Sequence, residues 1–110
     1  MEILEVTTQD SGGQVTVSLK GELDLSSVGK VEEALKRVEA DGPSLLILDL
    51  SQLSFLDSTG LRAVVTADER AREDGRRLVV VRGPVAVQRV FSITRLEERL
   101  EMVDDAPGAA

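Results

Sequence analysis

The chain of 110 residues carries a formal charge of −7 and an apolar fraction of 42%, with neither Cys nor His, which bounds it to one domain around one core. So acidic a chain, with Phe55 and Phe91 as its only aromatics, lacks the basic surface and stacking platforms that nucleic acids need, and no direct nucleic-acid binding is expected. Without thiols or imidazoles there is no disulfide framework, no Ser-His-Asp or Cys-His triad and little to build a zinc site from, so no enzyme, cofactor or metal centre is expected.

Residues 2–8 and 14–20 have the composition of strands. Val15, Val17 and Leu19 alternate with Thr16, Ser18 and Lys20, the period of a half-buried strand. Asp10-Ser11-Gly12-Gly13 between the two is turn chemistry, so they should form a hairpin. Gly21-Glu22-Leu23-Asp24 is then expected to leave the sheet. Over 26–40, Val28, Val31, Leu35 and Val38 fall three and four apart and form one apolar helical stripe. Glu32–Lys36 and Glu33–Arg37 add acid-first pairs at spacing four. Ser26 or Ser27 is placed to cap this helix, and Gly42-Pro43 to end it.

Leu45 to Leu50 is a near-continuous apolar run, the signature of a central strand buried on both faces. A helix over 58–74 comes next, with Leu61, Val64, Val65 and Ala71 inward and Gly75 at C′. Arg77–Arg82, centred on Leu78-Val79-Val80-Val81, is another buried strand. Gly83-Pro84 opens a third helix with Pro at its first position, anchored by Val87, Val90 and Phe91. Leu96–Val103 fits a helix by charge density and a short edge strand by Leu100 and Val103; the strand is preferred. Residues from Asp104 onward should fray, with a flexible tail over 106–110 after a domain spanning 1–105. A hairpin and then alternating helices and strands predict an α/β fold, a mixed but mostly parallel sheet with helices packed against it. No apolar run reaches the length of a membrane span and no basic segment with an apolar stretch opens the chain, so the cytoplasm is the expected compartment and no membrane insertion is expected.

Sites in open α/β sheets gather at the carboxyl ends of parallel strands, where residues 51–60 fall. With Asp57 as N-cap, Leu56 and Leu61 take the N′ and N4 positions of a hydrophobic staple. Ser58 is then the first helical residue, its hydroxyl turned outward. One reading makes Asp57-Ser58-Thr59 a plain helix cap. The other makes Ser58 a phosphorylation site, since a phosphate adds about −1.5 to −2 charges that a helix N-terminus tolerates but a partner packed against it does not. Gly60 costs about 1 kcal/mol relative to Ala in a helix, which suggests a close approach to the backbone there. Asp24 is either a turn group or part of the same site, depending on whether strand order brings it near Ser58. Asp49, an acid within a buried strand, suggests a receiver-type phosphoacceptor, but all three lysines lie in the first third of the chain, where no late-strand Lys can assist it. Asp57-Ser58-Thr59-Gly60 carries one residue too many for an aspartic-protease triplet. The run Asp68–Asp74, with Asp68–Arg72 and Arg70–Asp74 four apart, fits a solvated helix face, and Arg76, Arg77 and Arg82 a polar strand edge.

Gly21-Glu22-Leu23-Asp24, Leu48-Asp49-Leu50-Ser51, Phe55-Leu56-Asp57-Ser58-Thr59-Gly60-Leu61 and Val87-Gln88-Arg89-Val90-Phe91, taken together, resemble a STAS domain, and more narrowly a bacterial anti-sigma-factor antagonist, over residues 3–105. The resemblance implies a partner switch. The unphosphorylated chain would bind an anti-sigma factor of the GHKL serine-kinase type, be phosphorylated by it on Ser58 and so be released, and a serine phosphatase would reset the cycle. Asp24, Asp57, Ser58, Thr59, Gly60, Leu61 and Arg62 would line the docking surface. The alternative under the same resemblance is a scaffold module of a stress-sensing or transporter-associated complex without a Ser58 switch. Two departures bear on the partner: Arg62 stands where sporulation and stress antagonists often carry Gly, and the family's C-terminal helix is short or missing.

Overall fold

The computed structural model describes residues 3–107; Glu2, expected to open the first strand, and the last three residues of the expected tail lie outside them. The hairpin forms as expected: β1 (Leu4–Ser11) runs antiparallel to β2 (Gln14–Leu23) across Gly12 and Gly13, both at positive φ. α1 (Val28–Ala40) leads to β3 (Leu45–Leu56), α2 (Ser58–Glu73) to β4 (Arg77–Val81), and α3 (Val85–Ile93) through a 3-10 turn at Leu96–Glu98 to β5 (Met102–Val103). The sheet order is β1-β2-β3-β4-β5, with β2 through β5 mutually parallel. This is the mixed, mostly parallel α/β sheet that the element pattern predicts.

Register explains how the core is built. Val15, Leu46 and Leu78 form one cross-strand row, and Val17, Leu48 and Val80 the next. Both rows join Val31, Leu35 and Val38 of α1, Val64, Ala67 and Ala71 of α2, and Val87 and Phe91 of α3 in a single buried cluster. The three helices therefore cover one face of the sheet. Each buried aliphatic side chain there contributes about 1.5–3 kcal/mol relative to an exposed one. On the other face lie Thr16, Ile47 and Val79. Gln14 Nε2 donates to the Pro107 carbonyl at 3.3 Å, and Arg82 pairs with Asp104 at 3.1 Å. Asp104 and Pro107 thus each make one contact, to Arg82 just beyond β4 and to Gln14 at the start of β2.

Both strands that end at the candidate site run further than their sequence pattern indicates. β2 does not leave the sheet at Gly21 but continues to Leu23, and β3 continues past Leu50 to Leu56. Ser18 lies opposite Asp49, Lys20 opposite Gln52, Gly21 opposite Leu53 and Glu22 opposite Phe55, so β3 carries an extra residue at each of two bulges. Beyond Leu48, the buried residues of β3 consequently fall at Leu50, Leu53 and Leu56. A spacing of three hides a strand from any test for period two. Asp49 has its function here: Oδ1 accepts from the Ser51 N–H at 2.9 Å and holds the first bulge.

Other expectations are corrected locally. Pro84 is the N-cap of α3 rather than its first residue, and Val90 is only partly buried. Val65 of α2 is likewise half exposed. Arg70 pairs with Glu39 of α1 through Nε and Nη2, at 3.0 and 2.9 Å, instead of with Asp74. The Arg76 side chain is buried, donating to the Pro43 and Glu39 carbonyls, rather than lining a strand edge. Asp68–Arg72 and Glu33–Arg37 form as expected, at 3.0 and 3.2 Å. Gly75, at φ 70°, closes α2 as its C′ residue, with the Arg76 N–H bonded to the Ala71 carbonyl. The ambiguous segment resolves into a 3-10 turn, buried Leu100 and a two-residue edge strand.

Candidate functional site

Parallel pairing of Leu23 with Leu56 sets the carboxyl ends of β2 and β3 side by side. The segments that leave the two strands are therefore adjacent: the Asp24–Ser27 loop after β2 and the start of α2 after β3. The Asp57 N–H donates to the Leu23 carbonyl at 3.2 Å. Asp57 is the N-cap of α2, with extended backbone, and its Oδ1 accepts from the Gly60 N–H at 3.0 Å. Its second oxygen accepts from the Leu25 N–H at 3.3 Å. One carboxylate thus caps the helix and fastens it to the neighbouring loop, so strand order does bring Asp24 beside the start of α2.

The loop is organised around Asp24. Its Oδ1 accepts from the Ser26 N–H at 3.0 Å and from the Ser26 hydroxyl at 2.7 Å, while its carbonyl accepts from the Val28 N–H at 2.8 Å. The Ser26 hydroxyl, helped by the Ser26 and Ser27 donors, holds the Asp24 carboxyl below the usual carboxylate range. Ser27 occupies the N-cap position of α1 but makes no side-chain cap. Its buried hydroxyl donates to the Glu22 carbonyl at 2.7 Å and accepts from the Asp24 N–H at 3.0 Å. A serine expected to cap a helix instead ties the loop to the end of β2.

With Asp57 as cap, Ser58 is the first residue of α2 and is exposed. Leu56 and Leu61 are both buried in the core cluster at the two staple positions. Gly60 is buried too, and the close approach to its backbone that the sequence suggests is found. A Cβ there would meet Leu23 Cγ and Leu56 Cδ1 at 2.7 Å and the Leu23 carbonyl oxygen at 3.0 Å. The close approach that requires glycine comes from the chain's own strand ends. Of the residues marked out by sequence, Asp24, Asp57 and Thr59 are partly exposed and Ser58 and Arg62 exposed, while Gly60 and Leu61 are buried.

The sequence pattern did not mark the apolar rim of this end. Leu25 is 75% exposed and Phe55 48% exposed, one flanking the Asp24 loop and the other the end of β3. On the opposite side of Ser58, a shallow groove is lined by Ser58, Thr59, Leu61, Arg62, Val65 and Leu96. Contiguous apolar patches rimmed by polar groups mark surfaces that another macromolecule covers, whereas singly exposed apolar side chains, as at Ile3, Val85 and Ile93, are ordinary. Composition held one signal: in a chain so poor in aromatics, Phe55 falls on the solvent side of its strand.

A sheet with helices on one face gathers, at the carboxyl ends of two parallel strands, a capped helix N-terminus and the loop built around Asp24. Residues 5–108 match the family model of the STAS domain, and the chain belongs to that family. It is 38% identical over 82 residues to the anti-sigma-F factor antagonist RsfB of Mycobacterium tuberculosis, spanning 74% of this chain and 67% of that protein. It is similar to the crystal structure of an anti-sigma factor antagonist from Mycobacterium paratuberculosis, with a TM-score of 0.81, 29% identity and coverage of 93% of this chain and 86% of that one. The fold is shared with unphosphorylated SpoIIAA, an anti-sigma factor antagonist, at a TM-score of 0.79 and 22% identity over 94% of this chain and 90% of that one. The phosphorylated form of SpoIIAA, from Bacillus, superposes with a TM-score of 0.74. Among the described residues, no helix is long and apolar enough to cross a membrane.

Proposed function

We propose that the chain is a cytoplasmic anti-sigma factor antagonist that works by partner switching at Ser58. Unphosphorylated, it docks the α2 N-terminus, the Asp24 loop and the rim of Leu25 and Phe55 onto an anti-sigma factor of the GHKL serine-kinase type. That kinase then uses ATP to modify its own ligand. The Ser58 Oγ attacks the γ-phosphorus, the bond between that phosphorus and the β-bridging oxygen breaks, ADP departs, and the hydroxyl proton passes to a base of the kinase. A serine phosphatase hydrolyses the ester with water, returning the hydroxyl and inorganic phosphate.

The observation that carries this reading is the division of labour between Asp57 and Ser58. Asp57 supplies the cap through its own carboxylate, so Ser58 stays exposed at the first helical position with no capping role. Phosphorylation there adds about −1.5 to −2 charges at the positive end of a helix dipole, leaving the fold intact while changing the surface. Asp24 and Asp57 make that surface more acidic still, and an interface closed around a hydroxyl has no room for the added group. The relatives' shared description as anti-sigma factor antagonists supports the choice of partner class. The test is incubation of the chain with its anti-sigma kinase and ATP, then mass-spectrometric localisation. Phosphate on Ser58, and none on Ser58→Ala, is the expected result; phosphate elsewhere, or none, refutes the proposal.

A further inference from the structure

Given Ser58 as the phosphoacceptor, the groove beside it determines where the phosphate goes. Arg62 lies one helical turn beyond Ser58, both are exposed, and both line the groove closed by Leu61, Val65 and Leu96. Helix positions four apart are neighbours, their Cβ atoms about 5–6 Å apart, within easy reach of a guanidinium. The other arginines of α2 are committed: Arg70 to Glu39 and Arg72 to Asp68. Arg62 has no carboxylate partner among the described residues.

The charged groups around it are occupied. Asp57 accepts from the Gly60 and Leu25 N–H groups, and Asp24 from Ser26. Next to Leu96, Glu97 accepts from Gln88 and Ser92, and Arg95 is held by Glu98. Arg62 is therefore the uncommitted cation of the groove.

We propose that Arg62 is the in-chain acceptor of the Ser58 phosphate. The guanidinium fork matches two phosphate oxygens, and the pair turns the phosphate back along α2 across the mouth of the groove. Before modification, Arg62 and the groove floor offer a partner one cation and one apolar strip. Afterwards both are withdrawn, so phosphorylation removes recognition elements as well as adding bulk and charge.

The experiment installs phosphoserine at position 58 during synthesis, so that no kinase or partner is needed, and tracks the 31P shift at low salt from about pH 4.5 to 8, across the second phosphate ionisation. A cation beside the phosphate favours the dianion and lowers that pKa. The pKa is expected about 0.15–0.4 unit lower in the parent than in Arg62→Gln, as for a helix pair at this spacing, with Arg62→Lys in between and the difference shrinking at high salt. Identical titrations of the three chains would overturn the proposal. Failure of the kinase to modify Ser58 would instead refute the switch itself, so the two results are separable.

Discussion

Gly60→Ala is the substitution for which helix propensity and the structure predict opposite signs. Propensity favours it by about 1 kcal/mol, since Ala is the best helix former and Gly among the worst. Packing opposes it, because the new methyl would lie 2.7 Å from both Leu23 Cγ and Leu56 Cδ1 and 3.0 Å from the Leu23 carbonyl oxygen. Leu23 and Leu56 are buried and paired across the sheet, and that carbonyl already accepts the Asp57 N–H. Relief therefore requires α2 to move off the strand ends, and overpacking of a filled core costs about 1–3 kcal/mol. With the propensity gain subtracted, and the backbone contact placing the cost at the upper end, the variant should lose about 1–2 kcal/mol. Urea unfolding monitored by circular dichroism reads this directly, as a fall of about 1 M in midpoint at unchanged slope. The melting temperature should fall by roughly 4–8 °C. A variant as stable as the parent, or more so, would refute the claim that the strand ends dictate glycine here.

Asp57→Ala removes both the cap on Gly60 and the tie to Leu25; it should cost about 1–2 kcal/mol in the same unfolding assay, and a loss within error would mean the cap is dispensable. The folded-state pKa of Asp24 is lowered, so its contribution is fully present above the usual carboxylate range and is lost as pH falls through the lowered value. Asp24→Asn should therefore shrink the stability gap between neutral and acid pH, and an unchanged acid limb would contradict the assignment. Leu25→Ala should leave the melting temperature within about 2 °C, since the side chain is exposed, while weakening binding to the anti-sigma partner; unchanged binding would remove Leu25 from the docking rim.

The features legible in the sequence are those set by short-range chemistry. The Asp57 cap, the Leu56–Leu61 staple and the Gly75 terminus depend on residues within one turn of each other, and each forms as expected. The fold class comes from the order of apolar runs, which long strands and helices preserve even when their ends are uncertain. The far halves of β2 and β3 were not legible, because two bulges shift the buried side chains of β3 from period two to period three. Gly60 was identified as a point of close approach, but only strand order reveals that the neighbours are Leu23 and Leu56. Arg70 has Asp74 at an ideal helical spacing and still turns to Glu39 on α1, where a partly buried carboxylate allows a two-point contact. The juxtaposition of the Asp24 loop and Asp57 is likewise tertiary, created by parallel pairing of strands whose ends lie some thirty residues apart in the chain.

The measurement closest to the central claim compares the affinities of two forms of the chain, unphosphorylated and carrying phosphoserine at 58, for the cognate anti-sigma kinase by titration calorimetry. The partner switch predicts measurable binding of the unmodified chain and a loss of about 100-fold or more on phosphorylation, roughly 2.7 kcal/mol, with both forms equally folded by circular dichroism. Equal affinities for the two folded forms would contradict it.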